Sequence, residues 1–345
     1  VFNTAVGYDA GLHVTTGIAN TIIGGLAGDA LTDADANVAV GKSALGADTL
    51  GSRSVAIGAF ALQAQNFTTA TNAFNVAVGC DAGLLVTTGV QNTFVGGLAG
   101  DAATTRDGNT AVGYSALTAD AKGEGSVAVG SSALATQNYG TDTNAFNTGV
   151  GYFAGAAITT GVQNTILGAI AGDALTDADN NTALGYVALG QCVLGSSNTA
   201  VGSGSLFTCN PATAVTMYNT AVGADAGGAV TTGTLNTFVG GLAGDATDDG
   251  SENTAVGYQA LSANAANGNT AVGSGSGRLV TGAQNTTMGE SSGYEITSGG
   301  NNLILGKNAG RSGSPGGAIS TGSNEIVLGD QNITEAHIQV DWTVA

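Results

Sequence analysis

A chain that repeats itself about every seventeen residues has few folds open to it. The motif Asn-Thr-Ala-Val-Gly, or a close variant, recurs nineteen times, its closing glycines falling at 7, 24, 41, 58, 79, 96, 113, 130, 151, 168, 185, 202, 223, 240, 257, 273, 289, 306 and 329. The spacings run 17, 17, 17 and 21 three times over, which sets a higher unit of 72 residues. Super-repeats cover 3–74, 75–146 and 147–218, and a fourth, 219–289, degenerates as the period slips to 16 after Gly257. Drift of that kind is what terminal repeats show. Seventeen residues are too few for a two-helix repeat, and 72 divides badly into four-stranded propeller blades.

With the motif asparagine counted as position one, position four is Val, Ile, Leu or Met (Val6, Ile23, Val40, Ile57, Met288). Alternation about it predicts a strand of about five residues that ends at the glycine and buries position four. Position eight is small at Ala10, Ala27, Ala44, Ala61 and Ala82, as the inside of a narrow roll requires. Thr-Thr-Gly and Asp-rich stretches supply the turns. The chain is therefore expected to be all-β, a parallel β-solenoid or β-roll with one coil per repeat and a rod over residues 1–310. Equivalent strands would pair in parallel about 4.8 Å apart, and the motif asparagines would stack as a ladder of amide hydrogen bonds. Position three of the second coil holds Ile22, Phe94, Ile166 and Phe238, where most coils have alanine. Placed opposite the core position, this stripe reads as the contact between the chains of a homotrimer.

Composition narrows the partners. Net charge is −18 with seven Lys and Arg residues, so nucleic acid and anionic membrane surfaces are poor partners. No apolar run reaches the length of a membrane-spanning helix, so no membrane insertion is expected. Aromatics are 5% of the chain, which leaves a thin core and shifts the burden of stability to backbone ladders and association.

The Asn-x-Ala-Val-Gly-x-x-Ala repeat resembles two families over residues 3–310. One is the head of trimeric autotransporter adhesins. The closer one comprises phage tail-fibre proteins whose repeats precede a chaperone of the endosialidase (peptidase S74) type. The stretch NEIVLGDQNITEAHIQVDWTVA, residues 324–345, looks like the run-in to that chaperone. The family's chaperone opens with a Ser-Asp-x-Arg-x-Lys pattern whose serine and lysine serve self-cleavage. By that resemblance residues 311–345 form a C-terminal capping region, and Ala345 is the residue left at the processing junction. The chaperone pattern itself is absent, so no protease residue is carried over. Val1-Phe2 stands in the register of Ala73-Phe74, Ala145-Phe146 and Met217-Tyr218, so further residues are expected upstream of Val1, and the resemblance implies other virion proteins there. The resemblance implies a viral tail or side fibre, located in the virion, that spaces and presents surfaces for a host cell-surface glycan or protein. The alternative is a bacterial trimeric surface adhesin, extracellular. A third reading is an ice-binding solenoid using the threonines Thr4, Thr21 and Thr110, a ladder that Val38, Val55 and Val76 interrupt.

Candidate sites are few. The carboxylates Asp29, Asp33 and Asp35, with Asp173, Asp177 and Asp179, could hold calcium, but the second super-repeat places Thr104, Thr105 and Arg106 in that region. Solvated acidic turns are the simpler reading. Cys192 and Cys209 occupy one column of adjacent coils, about 5 Å apart and within disulfide reach. The four-residue insertions give QNFTTATNAF (65–74) and QNYGTDTNAF (137–146), where Phe67 and Tyr139, together with Trp342, are candidates for receptor binding. Neither a nucleophile–His–acid pattern nor a zinc-ligand or phosphate-loop motif occurs, and neither enzymatic activity nor a cofactor is expected.

Overall fold

The computed structural model describes residues 2–314 and 316–335, and among these there is no helix. The chain divides into two compact units, residues 1–203 with 210–216, and residues 204–209 with 217–345. In the first unit twelve three-residue strands, from Thr4–Val6 to Thr199–Val201, pair in parallel with equivalent residues opposite each other, as Thr4 with Thr21 and Val127 with Thr148. Three shorter pairs mark the insertion coils, joining Gly51–Ser52 to Thr71–Asn72, Gly123–Glu124 to Thr143–Asn144, and Gly195–Ser196 to Val215–Thr216. The second unit stacks seven strands, from Thr220–Val222 to Ile326–Leu328, in the same way. Its coil lengths vary, 16 residues from Thr254 to Thr270 and 23 from Leu303 to Ile326, yet the strand register stays intact. The fold is the parallel β-solenoid that the repeat predicts.

Strands are three residues long, not five, because the closing glycine turns the chain out of the ladder. Gly113 has φ +140°, and a Cβ there would lie 2.4 Å from the carbonyl oxygen of Gly130 in the next coil. No other residue fits that approach. At the other end of the strand the asparagine carboxamide is built into the backbone network. Asn92 Oδ1 accepts the Asn109 backbone N–H at 2.9 Å, and Asn92 Nδ2 donates to the Arg106 carbonyl at 3.0 Å. The second unit repeats this, with Asn253 N–H donating to Asn236 Oδ1 at 2.9 Å and Asn236 Nδ2 donating to the Gly250 carbonyl at 2.8 Å. A side chain that satisfies two backbone groups between coils explains why this position is so uniform, since a buried orphan costs about 1–3 kcal/mol.

The core corrects two expectations. Position three points inward and position four outward, the reverse of the predicted parity. Phe94 and Phe238 are 0% exposed, and Ile22 and Ile166 are equally buried, so the predicted trimer stripe lies inside each coil stack. The reason is volume complementarity. In the first two coils of a super-repeat, position nine is glycine, and a Cβ on Gly83 or Gly100 would strike the Phe94 ring at 2.9 and 2.4 Å. In the third and fourth coils of the first three super-repeats, position three is alanine and position nine is a buried leucine, as with Ala39 and Leu45 or Ala56 and Leu62. The large side chain enters from one wall or from the other, and this alternation is much of what the 72-residue period encodes.

Candidate interaction surface

The outward side of each strand carries positions two and four. In all nineteen coils position two is Thr, Val, Leu or Ile and position four is Val, Ile, Leu or Met, without one charged residue. None of the position-four side chains is buried: about half are exposed, as Leu167 at 45% and Met288 at 50%, and the rest, such as Val95 and Val112, are partly exposed. Position two, as at Thr93, Thr165 and Thr270, is partly exposed beside them. The same backbone alternation that turns alanine into the narrow interior turns the branched aliphatics out. Exposed tyrosines at position six flank the row, and Tyr114 and Tyr258 lie alongside Gly97 and Gly241 of the preceding coils.

Sequence reasoning missed a second feature, a polar cluster inside the insertion coils. Position one is serine there in the first two super-repeats (Ser54, Ser126), which breaks the carboxamide ladder. A glutamine from the same coil replaces the missing amide. Gln65 Nε2 donates to Ser54 Oγ at 3.1 Å and to Asp48 Oδ2 at 2.6 Å, and its Oε1 accepts from Asn75 Nδ2 at 2.8 Å. Asp48 Oδ1 in turn accepts the backbone N–H groups of Gly51 and Phe67 at 3.0 and 3.1 Å. Gln137, Asp120, Ser126 and Asn147 form the same set one super-repeat later. Burial raises the Asp48 and Asp120 carboxyls above their ordinary value, against the lowering effect of those donors. In the third super-repeat Cys192, Cys209 and Asn198 stand where the first has Asp48, Gln65 and Ser54. Comparing super-repeats column by column, rather than coil by coil, carries this signal.

Several predicted sites are placed otherwise. Phe67 and Tyr139 are each 5% exposed, and the Tyr139 hydroxyl donates to the Gly161 carbonyl at 2.7 Å. Buried in this way, they form no exposed aromatic strip for a receptor. Trp342 and Ala345 lie outside the described residues. No disulfide forms. Cys192 Sγ lies 3.7 Å from the Gly195 carbonyl oxygen, Cys209 Sγ lies 3.3 Å from Met217 Sδ, and Cys80 is an exposed thiol.

The aspartates considered for calcium link coil to coil. Asp33 accepts the Thr16 hydroxyl at 2.5 Å, Asp35 accepts the Ile18 N–H at 2.8 Å, Asp177 accepts the Thr160 hydroxyl, and Asp179 accepts the Val162 N–H at 2.8 Å. Asp29 lines an open cavity of about 270 Å³ with Leu26, Ser43 and Gln63. Asp173 is partly buried, and burial raises its carboxyl. Among the described residues no three metal-ligating side chains come together. No protein-family model, curated protein or solved structure matches this chain.

Proposed function

We propose that this chain is a non-catalytic structural element, three copies of which form a viral tail or side fibre that holds receptor-binding surfaces away from the particle. The observation that carries the reading is the outward aliphatic row. A single chain leaves it in water, although the sequence holds 25 acidic residues that could have occupied it. Apolar surface on this scale marks an interaction site. A stack of short parallel strands tied by carboxamides also suits a spacer, because each coil is fixed by its neighbours and length follows from repeat number. Three weak receptor contacts on one support raise apparent affinity through effective concentration. The receptor is a host cell-surface glycan or protein. Phe67 and Tyr139 are no part of that binding, since both are buried.

A bacterial surface adhesin built on the same coils is the second reading, and the same outward row supports it. The reading frame on either side of the segment separates the two. The fibre reading expects a chaperone opening with the Ser-Asp-x-Arg-x-Lys pattern downstream. A coiled-coil stalk followed by a membrane anchor would transfer the chain to the adhesins.

A further inference from the structure

We infer that the aliphatic row at position four, with the Thr/Val row beside it, is the face on which second copies of this chain pack. This rests on the multi-chain reading above and names the surface that reading requires.

Three observations converge on it. The first is parity: the stripe expected to join chains is wholly buried, so the strand has one remaining apolar side, and that side is exposed. The second is charge. Asp, Glu, Lys and Arg occur elsewhere in the coils but at neither position two nor position four of any coil, so the face can be dehydrated without stranding an ion. Threonine at position two adds a hydroxyl that hydrogen-bonds a neighbour or water at the margin. The third is area. A partly exposed branched aliphatic offers roughly 50 Å² of apolar surface. The twelve of the first unit give on the order of 600 Å² before the partly exposed position-two row is added, against the roughly 800 Å² that a stable interface takes from each partner. The largest apolar patch of an ordinary monomer is about 300–600 Å². The row is one side chain wide with partly exposed threonines and valines beside it, a ridge that fits between copies grouped about an axis.

The occupant is another copy and not a flat foreign lattice. Position two alternates unevenly between threonine (Thr93, Thr110) and valine (Val38, Val55, Val76), so the hydroxyl array that would order water is broken, whereas the aliphatic row at position four is not.

The test is the native mass of three proteins: wild type, Leu167→Asp/Leu184→Asp, and Leu85→Asp. Leu167 and Leu184 belong to the row, and Leu85 is a comparably exposed leucine outside it. Wild type and Leu85→Asp should run as a multiple of the 33.2 kDa chain, and the row variant as one chain with an unchanged β-type circular dichroism spectrum. A row variant that keeps the wild-type mass overturns the face and leaves the multi-chain reading standing. Wild type at one chain overturns both. A single-chain wild type that retards ice growth, in a way the row variant does not, assigns the face to ice and also overturns the inference. If the row variant misfolds, Leu167→Cys and Leu85→Cys in a Cys80→Ser background decide. Oxidative cross-linking between copies at position 167 and not at 85 supports the face, and the reverse overturns it.

Discussion

Phe94 sits in a space that two glycines leave open, and that pairing is the smallest unit of the fold's logic. Phe94→Ala should cost about 3–5 kcal/mol, measured by urea unfolding, because the surrounding coils cannot collapse into the gap. Adding Gly100→Leu should recover part of the loss, since Leu45 and Leu62 already hold position nine at φ 54° and 49°. If the double variant were no more stable than Phe94→Ala, the exchange of volume between the two walls would be wrong. Asp48 and Asp120 give a second residue-scale expectation. Burial raises both carboxyls above 3.8, so just above that value the folded chain holds protons that the unfolded chain has released. The contribution of these two groups to stability therefore falls as pH rises through that window and is flat above it. Relative to Asp48→Asn/Asp120→Asn, the wild type should gain as the pH is lowered from neutral towards 4, read as the difference in urea midpoints.

At this scale the sequence misleads about parity. Valine is more hydrophobic than alanine, so position four looked like core and position three like surface. The structure reverses this because the closing glycines bring successive coils into close approach and the interior of a narrow roll admits mostly alanine there. Burial of hydrophobic residues is a one-way rule. The repeated small residue was the better guide: Ala27, Ala44, Ala61 and Ala82 are fully buried, and Ala10 in the first coil is partly so.

At the scale of the element, each coil is joined to the next by its asparagine. Asn109→Ala would leave the Ser126 N–H and the Gly123 carbonyl without the side chain that now pairs with each at 2.9 Å. The expected loss is about 1–3 kcal/mol per orphaned group. Amide hydrogen exchange should show faster opening around Ser126, with coils several repeats away little changed, because neighbours couple only to neighbours. Uniform acceleration along the chain would contradict nearest-neighbour coupling. The ladder itself was legible from the recurring asparagine. Its repair was not: Gln65 and Gln137 replace an amide that Ser54 and Ser126 lack, through contacts 11 residues apart that no single coil reveals.

For the whole molecule, the period carries the architecture. The 17-residue spacing and its 21-residue variant fix one strand per coil, parallel pairing and equal register, and these follow from spacing alone. Side-chain direction does not, since a repeat of odd length leaves open which strand residue faces in. The insertion residues Phe67 and Tyr139 were read as receptor-binding, but both turn inward, Phe67 beside Gly51 and Tyr139 onto the Gly161 carbonyl. The proposed function rests on association. Cryo-electron microscopy of the purified wild-type chain tests it most directly. Particles of three chains are expected, with the position-four rows of all copies turned towards a common axis. Single chains, or assemblies in which those rows face solvent, would contradict it.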